Sequence, residues 1–396
     1  MRPLDTKVTH RSFSARDRAA MSRALELAAR GLNTTHPNPR VGCVIVEGDR
    51  TVGEGWHERP GEPHAEIMAL RAAGARAAGG TAYVTLEPCC HFGRTPPCAD
   101  ALIEARLGRV VFALEDPNPD VRGKGAERLR AAGIAVESGL MQHEAAELNA
   151  GFIKRMTEGR PWLRVKLAMS LDGRTALANG KSQWITGEAA RADVQVFRAR
   201  SSALLTGVGT VLADDPRLDV RLEAARARQP LRVVLDWGLR TPARARLFES
   251  AGEVWIFTAS ADAARRAMLE ARGARIECLE EDAARAAGPA PGRDATGDTG
   301  RLDLHRVLGR LAQAEVNEVQ VEAGATLAGE LIRRHLADEL LVYVAPVLLG
   351  PQARPLVELP RLEALGGAPR FELIESQPVG ADLRMRLRAA RGAAAA

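Results

Sequence analysis

The 396-residue chain has no apolar run long enough to cross a bilayer, although hydrophobic residues make up 46% of it. A membrane-spanning protein is therefore not expected. The stretch 1–17 is polar and basic and holds no apolar segment, which argues against a secretory signal and reads as a disordered extension. Cysteine is scarce: Cys43, Cys89, Cys90, Cys98 and Cys278 make no disulfide framework in a chain of this length. A soluble protein of the reducing cytoplasm is expected, with thiols free to bind metal. Charge of one sign is not gathered into blocks, because 55 Lys and Arg stand interspersed with 50 Asp and Glu for a net +5. That argues against nucleic acid as a partner and leaves arginines for a small anionic substrate. Two motifs are also missing. No G-x-G-x-x-G follows the first strand of the second half, so an ordinary Rossmann site is unsupported. A C-x-x-C pair of thiols is absent too.

What is present is a long alternation of strand and helix patterns. The length exceeds one usual domain, so two are expected. In the first half, helices are read over 19–31, 64–73, 97–105 and 123–132, and strands over 41–47, 81–86, 109–114 and 134–137. In the second, strands are read over 162–169, 203–207, 231–236, 254–258, 318–322 and 339–347. Helices are read there over 188–199, 261–272, 302–313 and 328–335, with a loop rich in Ala, Gly, Pro and Asp at 283–300. Both halves are therefore α/β.

The chemistry gathers around His64, Glu66, Cys89 and Cys98. Pro63 suits the first position of a helix, which places His64 and Glu66 in a first turn, leaning toward the helix start. Pro97-Cys98 opens the next helix, where the dipole favours a thiolate. One imidazole and two thiolates leave a fourth tetrahedral position open, the pattern of a catalytic zinc. Glu66, outside that set, is placed to move the proton of an attacking water. His-x-Glu before Pro-Cys and a second Cys is the zinc-deaminase signature. A lone His at a helix start is usually a cap and a lone Cys a small core residue, so it is the ordered combination that carries the reading. Chemistry alone leaves Cys89 and Cys90 open as ligands, with His91 a further contender, whereas Cys43 in its apolar strand reads as core. The long gap between the cysteines holds His91, Arg94 and Thr95, which are suited to holding part of a substrate.

His36-Pro37-Asn38-Pro39, Val41-Gly42-Cys43-Val44, Gly61-Glu62-Pro63-His64-Ala65-Glu66, Thr85-Leu86-Glu87-Pro88-Cys89 and Gly93-Arg94-Thr95-Pro96-Pro97-Cys98 occur in that order. Together they closely resemble the bifunctional deaminase-reductase family of riboflavin biosynthesis, in which the long gap is itself a family trait. The resemblance runs from about Ala19 to Leu387. It passes through Lys166-Leu167-Ala168, Ser182-Gln183-Trp184-Ile185-Thr186, the run from Gly209 to Pro216, and Val321-Glu322-Ala323-Gly324. It implies a cytidine-deaminase-like α/β/α domain over 15–146, a zinc-dependent pyrimidine deaminase. A dihydrofolate-reductase-like α/β domain over 147–390 follows as an NADPH-dependent reductase.

The implied reactions are hydrolytic deamination of 2,5-diamino-6-(5-phosphoribosylamino)pyrimidin-4(3H)-one, then reduction of the ribosyl group of 5-amino-6-(5-phosphoribosylamino)uracil to ribityl phosphate. The implied zinc ligands are His64, Cys89 and Cys98, with Glu66 catalytic and Asn38 a substrate contact. NADPH contacts fall on Ala168, Trp184, Thr210, Asp214 and the run Gly324, Ala325, Thr326, Leu327, Ala328, Gly329 and Glu330. Reductase substrate contacts fall on Ser182, Arg198, Leu218, Arg221 and Glu322, and Lys166 and Glu322 are the candidates for proton handling. Arg198 and Arg221 suit a phosphate because a guanidinium fork matches its geometry. Trp237 and Ala325 depart from the family pattern, standing where relatives often have a small hydroxyl residue and a Pro. The partners expected are a phosphorylated pyrimidine and further copies of the chain in a homo-oligomer. The rival reading is a nucleic-acid or nucleoside deaminase with an unrelated C-terminal domain. Balanced charge and the missing C-x-x-C count against it.

Overall fold

The computed structural model describes residues 13–90, 96–119, 121–222, 228–279 and 302–390, in two compact units that divide between Thr157 and Glu158. The loop read at 283–300, and His91, Arg94 and Thr95, lie outside the described residues.

In the first unit the elements are α1 (Ala15–Ala29), β1 (Gly42–Glu47), β2 (Arg50–Trp56), α2 (Ala65–Ala73), β3 (Thr81–Val84), α3 (Cys98–Glu104), β4 (Arg109–Phe112), α4 (Lys124–Ala131), β5 (Ala135–Ser138), α5 (Gln142–Leu148) and α6 (Ala150–Glu158). The sheet order is β2-β1-β3-β4-β5, antiparallel as far as β3 and parallel beyond it. Side-chain alternation sets the layers. Cys43 and Ile45 turn toward α2, α3 and α4, while Val44 and Val46 turn toward α1 and α5. Both faces are covered, which is why β1 reads as an unbroken apolar run.

Two features depart from the sequence expectation. The extension read through Asp17 ends earlier, because Ser14 and Asp17 form a capping box that starts α1 at Ala15. Asp17 is buried and accepts from Tyr83 Oη at 2.7 Å and Arg109 Nη1 at 2.6 Å. The second feature is β2, whose glycines hide its strand pattern. A Cβ on Gly53 would lie 2.2 Å from Ala69 O, and one on Gly55 2.5 Å from Ala65 O. Bare backbone there lets α2 lie close on the sheet, and this fixes where its first turn sits.

In the second unit the elements are β6 (Trp162–Ser170), β7 (Arg174–Ala176), α7 (Glu188–Arg200), β8 (Ala203–Gly207), α8 (Val208–Asp214), β9 (Leu231–Leu235), β10 (Val254–Thr258), α9 (Ala263–Glu270), β11 (Ala274–Cys278), α10 (Leu304–Gln313), β12 (Glu318–Glu322), α11 (Ala325–Arg333), β13 (Glu339–Ala345), β14 (Arg354–Pro355), β15 (Phe371–Val379) and β16 (Asp382–Ala389). The main sheet runs β11-β10-β9-β8-β12-β6-β13-β16-β15, parallel from β11 to β13 and antiparallel at β16 and β15.

The two faces of β6 differ in kind. Leu163, Val165 and Leu167 join the main apolar core, so Arg164, Lys166 and Ala168 point to the side of α7. On that side Arg164 is fully buried between Glu318 (3.4 Å) and Glu339 (3.0 Å), and Arg386 reaches Glu339 at 2.8 Å. Buried charges are tolerated when paired in this way. Phe197 of α7 packs among these cations, with the Arg164 and Arg384 guanidinium carbons 5.5 and 5.3 Å from its ring centre.

Candidate active sites

His64 is the N-cap of α2 in an extended conformation (φ −70, ψ 164), and Glu66 lies in the first turn. His64 Nδ1 is 3.6 Å from Cys89 Sγ and 3.3 Å from Cys98 Sγ, and the three ligand atoms all lie within 4.8 Å of one another. Ligands at about 2.1 Å (N) and 2.3 Å (S) around a tetrahedral ion stand roughly 3.5–3.8 Å apart, so this donor set fits zinc. Cys98 directs its thiol and its backbone N–H (3.3 Å) at Cys89 Sγ, and these bonds, with His64, pull the Cys89 thiol down against burial. Cys89 and burial push Cys98 up. The helix start suggested the lowered thiol at Cys98, but Cys89 collects the donors. A divalent cation bound here would take the place of the protons these groups share. Glu66 is buried beside the cluster, and burial together with the Cys89 charge pushes it up to about 7.

Two further residues shape this site and are not evident in the sequence. Glu87, buried at the end of β3, accepts from the N–H groups of Gly123 (3.0 Å) and Ala126 (3.1 Å) at the start of α4, and of Asp116 (3.3 Å). Its carboxylate thus caps a helix while its backbone leads into Pro88-Cys89. His57 is buried, and burial lowers its pKa, so the ring is neutral. Nδ1–H donates to Pro63 O at 3.3 Å, which leaves Nε2 to accept from Asn38 Nδ2 at 3.0 Å. The His57 ring stands edge-on to His64 with centres 5.3 Å apart. The amide of Asn38 is thereby oriented, and its Oδ1 has no hydrogen-bond partner among the described residues.

The second unit holds a cavity of about 1370 Å³, opening where the parallel strands end, the usual place for ligands in such sheets. Its lining brings together Lys166, Ala168, Ser182, Trp184, Arg198, Thr210, Asp214, Leu218, Arg221, Glu322, Gly324, Ala325, Thr326, Leu327 and Glu330. Ala328 and Gly329 do not line it. Ala328 is fully buried in the main core, and a Cβ on Gly329 would lie 2.0 Å from Glu358 O. Helical rotation turns those two residues away from an opening that their predecessors face. Trp237 also lines the cavity.

Lys166 and Glu322 are register partners on adjacent strands. Arg198 holds Glu322 in a two-pronged pair, Nε–Oε1 2.6 Å and Nη2–Oε2 2.7 Å, and gives Nη1 to Asp219 O at 2.9 Å. The fork read as a phosphate ligand is therefore turned to Glu322. Burial alone would raise Glu322, but Arg198 outweighs it and, with Lys166 and Gln320, holds the carboxyl down to about 2. Burial lowers Lys166 against the pull of Glu322.

The comparisons with known proteins agree with both halves of this description. Residues 14–114 match the cytidine and deoxycytidylate deaminase zinc-binding region, and residues 161–385 match the RibD C-terminal domain. The riboflavin biosynthesis protein RibD of Escherichia coli K12 is 49% identical over 382 residues, covering 94% of this chain and 99% of that protein. Its counterpart in Haemophilus influenzae is 44% identical, covering 94% and 97%. Among solved structures, Acinetobacter baumannii RibD superposes with a TM-score of 0.85 at 44% identity, over 95% of this chain and 99% of that one. A Thermotoga maritima diaminohydroxyphosphoribosylaminopyrimidine deaminase/5-amino-6-(5-phosphoribosylamino)uracil reductase gives 0.80 at 31%, over 94% and 99%. With a deaminase zinc-binding region in one unit and the RibD reductase domain in the other, the chain belongs to the RibD family, bifunctional deaminase and reductase enzymes of riboflavin biosynthesis.

Proposed function

We propose that the first unit deaminates 2,5-diamino-6-(5-phosphoribosylamino)pyrimidin-4(3H)-one and the second reduces the resulting 5-amino-6-(5-phosphoribosylamino)uracil with NADPH. The observation that carries the first step is the convergence of His64, Cys89 and Cys98 beside a buried carboxylate. Those three residues would hold zinc, which supplies the Lewis acidity that readies water for attack on the amino-bearing ring carbon. Glu66 takes the water's proton and delivers it to the nitrogen that leaves as ammonia. Its pKa near 7 suits both halves of that transfer. Asn38, oriented by His57, offers Oδ1 to the ring.

In the second unit Ala168, Trp184, Thr210, Asp214 and the opening turn of α11 would hold NADPH, which supplies the hydride. Ser182, Leu218 and Arg221 orient the substrate. Lys166, made more acidic by burial, gives a proton to the ribosyl oxygen, while ionised Glu322 keeps that ammonium in place. Among the described residues no helix is long and apolar enough to cross a membrane. The reduced thiols support a cytoplasmic setting, and exposed Leu373, Ile374 and Leu383 on the β15–β16 edge support a homo-oligomer.

The test follows ammonia and NADPH absorbance together with the diaminopyrimidine phosphate as substrate. Chelating the metal is expected to stop ammonia release. NADPH oxidation should continue when the deaminated intermediate is supplied, and loss of both activities together would defeat the two-site assignment.

A further inference from the structure

Along one wall of the reductase cavity, α7 presents Arg191, Gln195 and Arg198 at helical spacing. The two arginines are engaged. Arg191 donates to Thr186 O at 2.7 Å and lies over the Trp184 ring, and Arg198 grips Glu322. Gln195 is only 7% exposed, and its Oε1 accepts the backbone N–H of Arg221 at 3.1 Å. A backbone N–H can only donate, so this bond decides which end of the amide is oxygen. Nε2 is the end that remains, unsealed at the cavity wall, and it has no hydrogen-bond partner among the described residues. Its two hydrogens are therefore open to whatever occupies the cavity.

The strip that Gln195 holds is tightly anchored. Asp219 O takes Arg198 Nη1 at 2.9 Å, and the Gln229 amide binds both N (2.8 Å) and O (2.9 Å) of Val220. Beyond it, the side chain of Arg221 is 56% exposed and pairs through Nη1 with Asp219 at 2.7 Å. Its Nε and Nη2 have no partner among the described residues. With Arg198 neutralised by Glu322, positive charge beside Gln195 comes from Arg191, one helical turn away with its hydrogen bond on a neutral carbonyl, and from the open edge of Arg221.

We propose that Gln195 is a substrate-binding residue whose Nε2 donates to the phosphate of the ribosyl phosphate, beside the open edge of Arg221. The assignment rests on reading this cavity as the reductase site. One amide then serves two bonds, with its oxygen holding the Arg221 backbone and its nitrogen binding the anion that Arg221 attracts.

The experiment compares Gln195→Glu and Gln195→Leu with the wild type, using the deaminated intermediate and its dephosphorylated counterpart. Gln195→Glu keeps the acceptor for Arg221 N–H but loses the donor and sets a like charge beside the phosphate. KM for the phosphorylated substrate should rise roughly 10- to 100-fold. KM for NADPH, KM for the dephosphorylated substrate and the melting temperature should stay near wild type. Gln195→Leu should raise the same KM by a smaller factor, since it adds no repulsion. An equal loss on both substrates would reduce Gln195 to a structural support, and an unchanged KM would overturn its contact with the anion. A wild-type enzyme that oxidises no NADPH with either substrate would instead refute the cavity as the reductase site, and this assignment with it.

Discussion

Replacing Arg198 by Met tests how the reductase keeps a buried carboxylate charged. Glu322 and Arg198 are 14% and 11% exposed in their side chains and share two bonds of 2.6 and 2.7 Å. Holding the carboxyl at about 2 rather than its ordinary 4.5 corresponds to about 3 kcal/mol. Removing one partner of a buried pair costs about 3–5 kcal/mol by independent reckoning, so Arg198→Met should melt roughly 6–20 °C lower. The sign with pH follows from the lowered pKa. In the wild type this stabilisation is full above pH 4.5 and is lost as pH falls toward 2. In Arg198→Met, burial raises Glu322, so that dependence weakens and the reductase rate gains an acid limb at higher pH. The double variant Arg198→Met/Glu322→Gln should be more stable than Arg198→Met alone, because no uncompensated charge stays buried. Urea unfolding, with NADPH oxidation measured across pH, provides the readout. A loss under about 1 kcal/mol with a superimposable pH profile would refute the reasoning.

Glu66→Gln should lower deaminase kcat about 100- to 10,000-fold while bound zinc, by elemental analysis, and reductase rate stay at wild-type levels; full deamination would remove Glu66 from proton transfer. Gly125→Ala should weaken metal binding about 10- to 100-fold in a competition assay with a chromophoric chelator. The reason is that its Cβ would lie 2.0 Å from Pro88 O, next to Cys89. Unchanged metal affinity would show that the backbone before Cys89 yields freely.

Much of this protein is legible in its sequence where the signal is local. The apolar alternation of β6, the unbroken apolar run of β13, and the ordered His64, Glu66, Cys89 and Cys98, need no knowledge of the fold. β15 and β16 escape because they are largely exposed or half-exposed on both faces, so no buried stripe marks them as strands. Arg198 and Glu322 are 124 positions apart, and nothing in either segment announces that one neutralises the other. Glu87 acts through backbone N–H groups of distant residues, and His57 through the side chain of Asn38 and the carbonyl of Pro63, contacts that leave no pattern of their own. Ala328 and Gly329 fit the family motif but are turned inward by the pitch of α11, a consequence of rotation that a linear motif does not carry.

The carboxylate of Glu87 ties the peptide that delivers Cys89 to the first amides of α4. A ligand bound at Cys89 and the folding of α4 are thereby thermodynamically linked, and such linkage is reciprocal. Metal that never touches α4 should slow hydrogen exchange at Gly123 and Ala126, and a change that frays α4 should loosen the metal by the same factor. The firmness with which the deaminase unit holds a metal would thus report the integrity of one of its own helices.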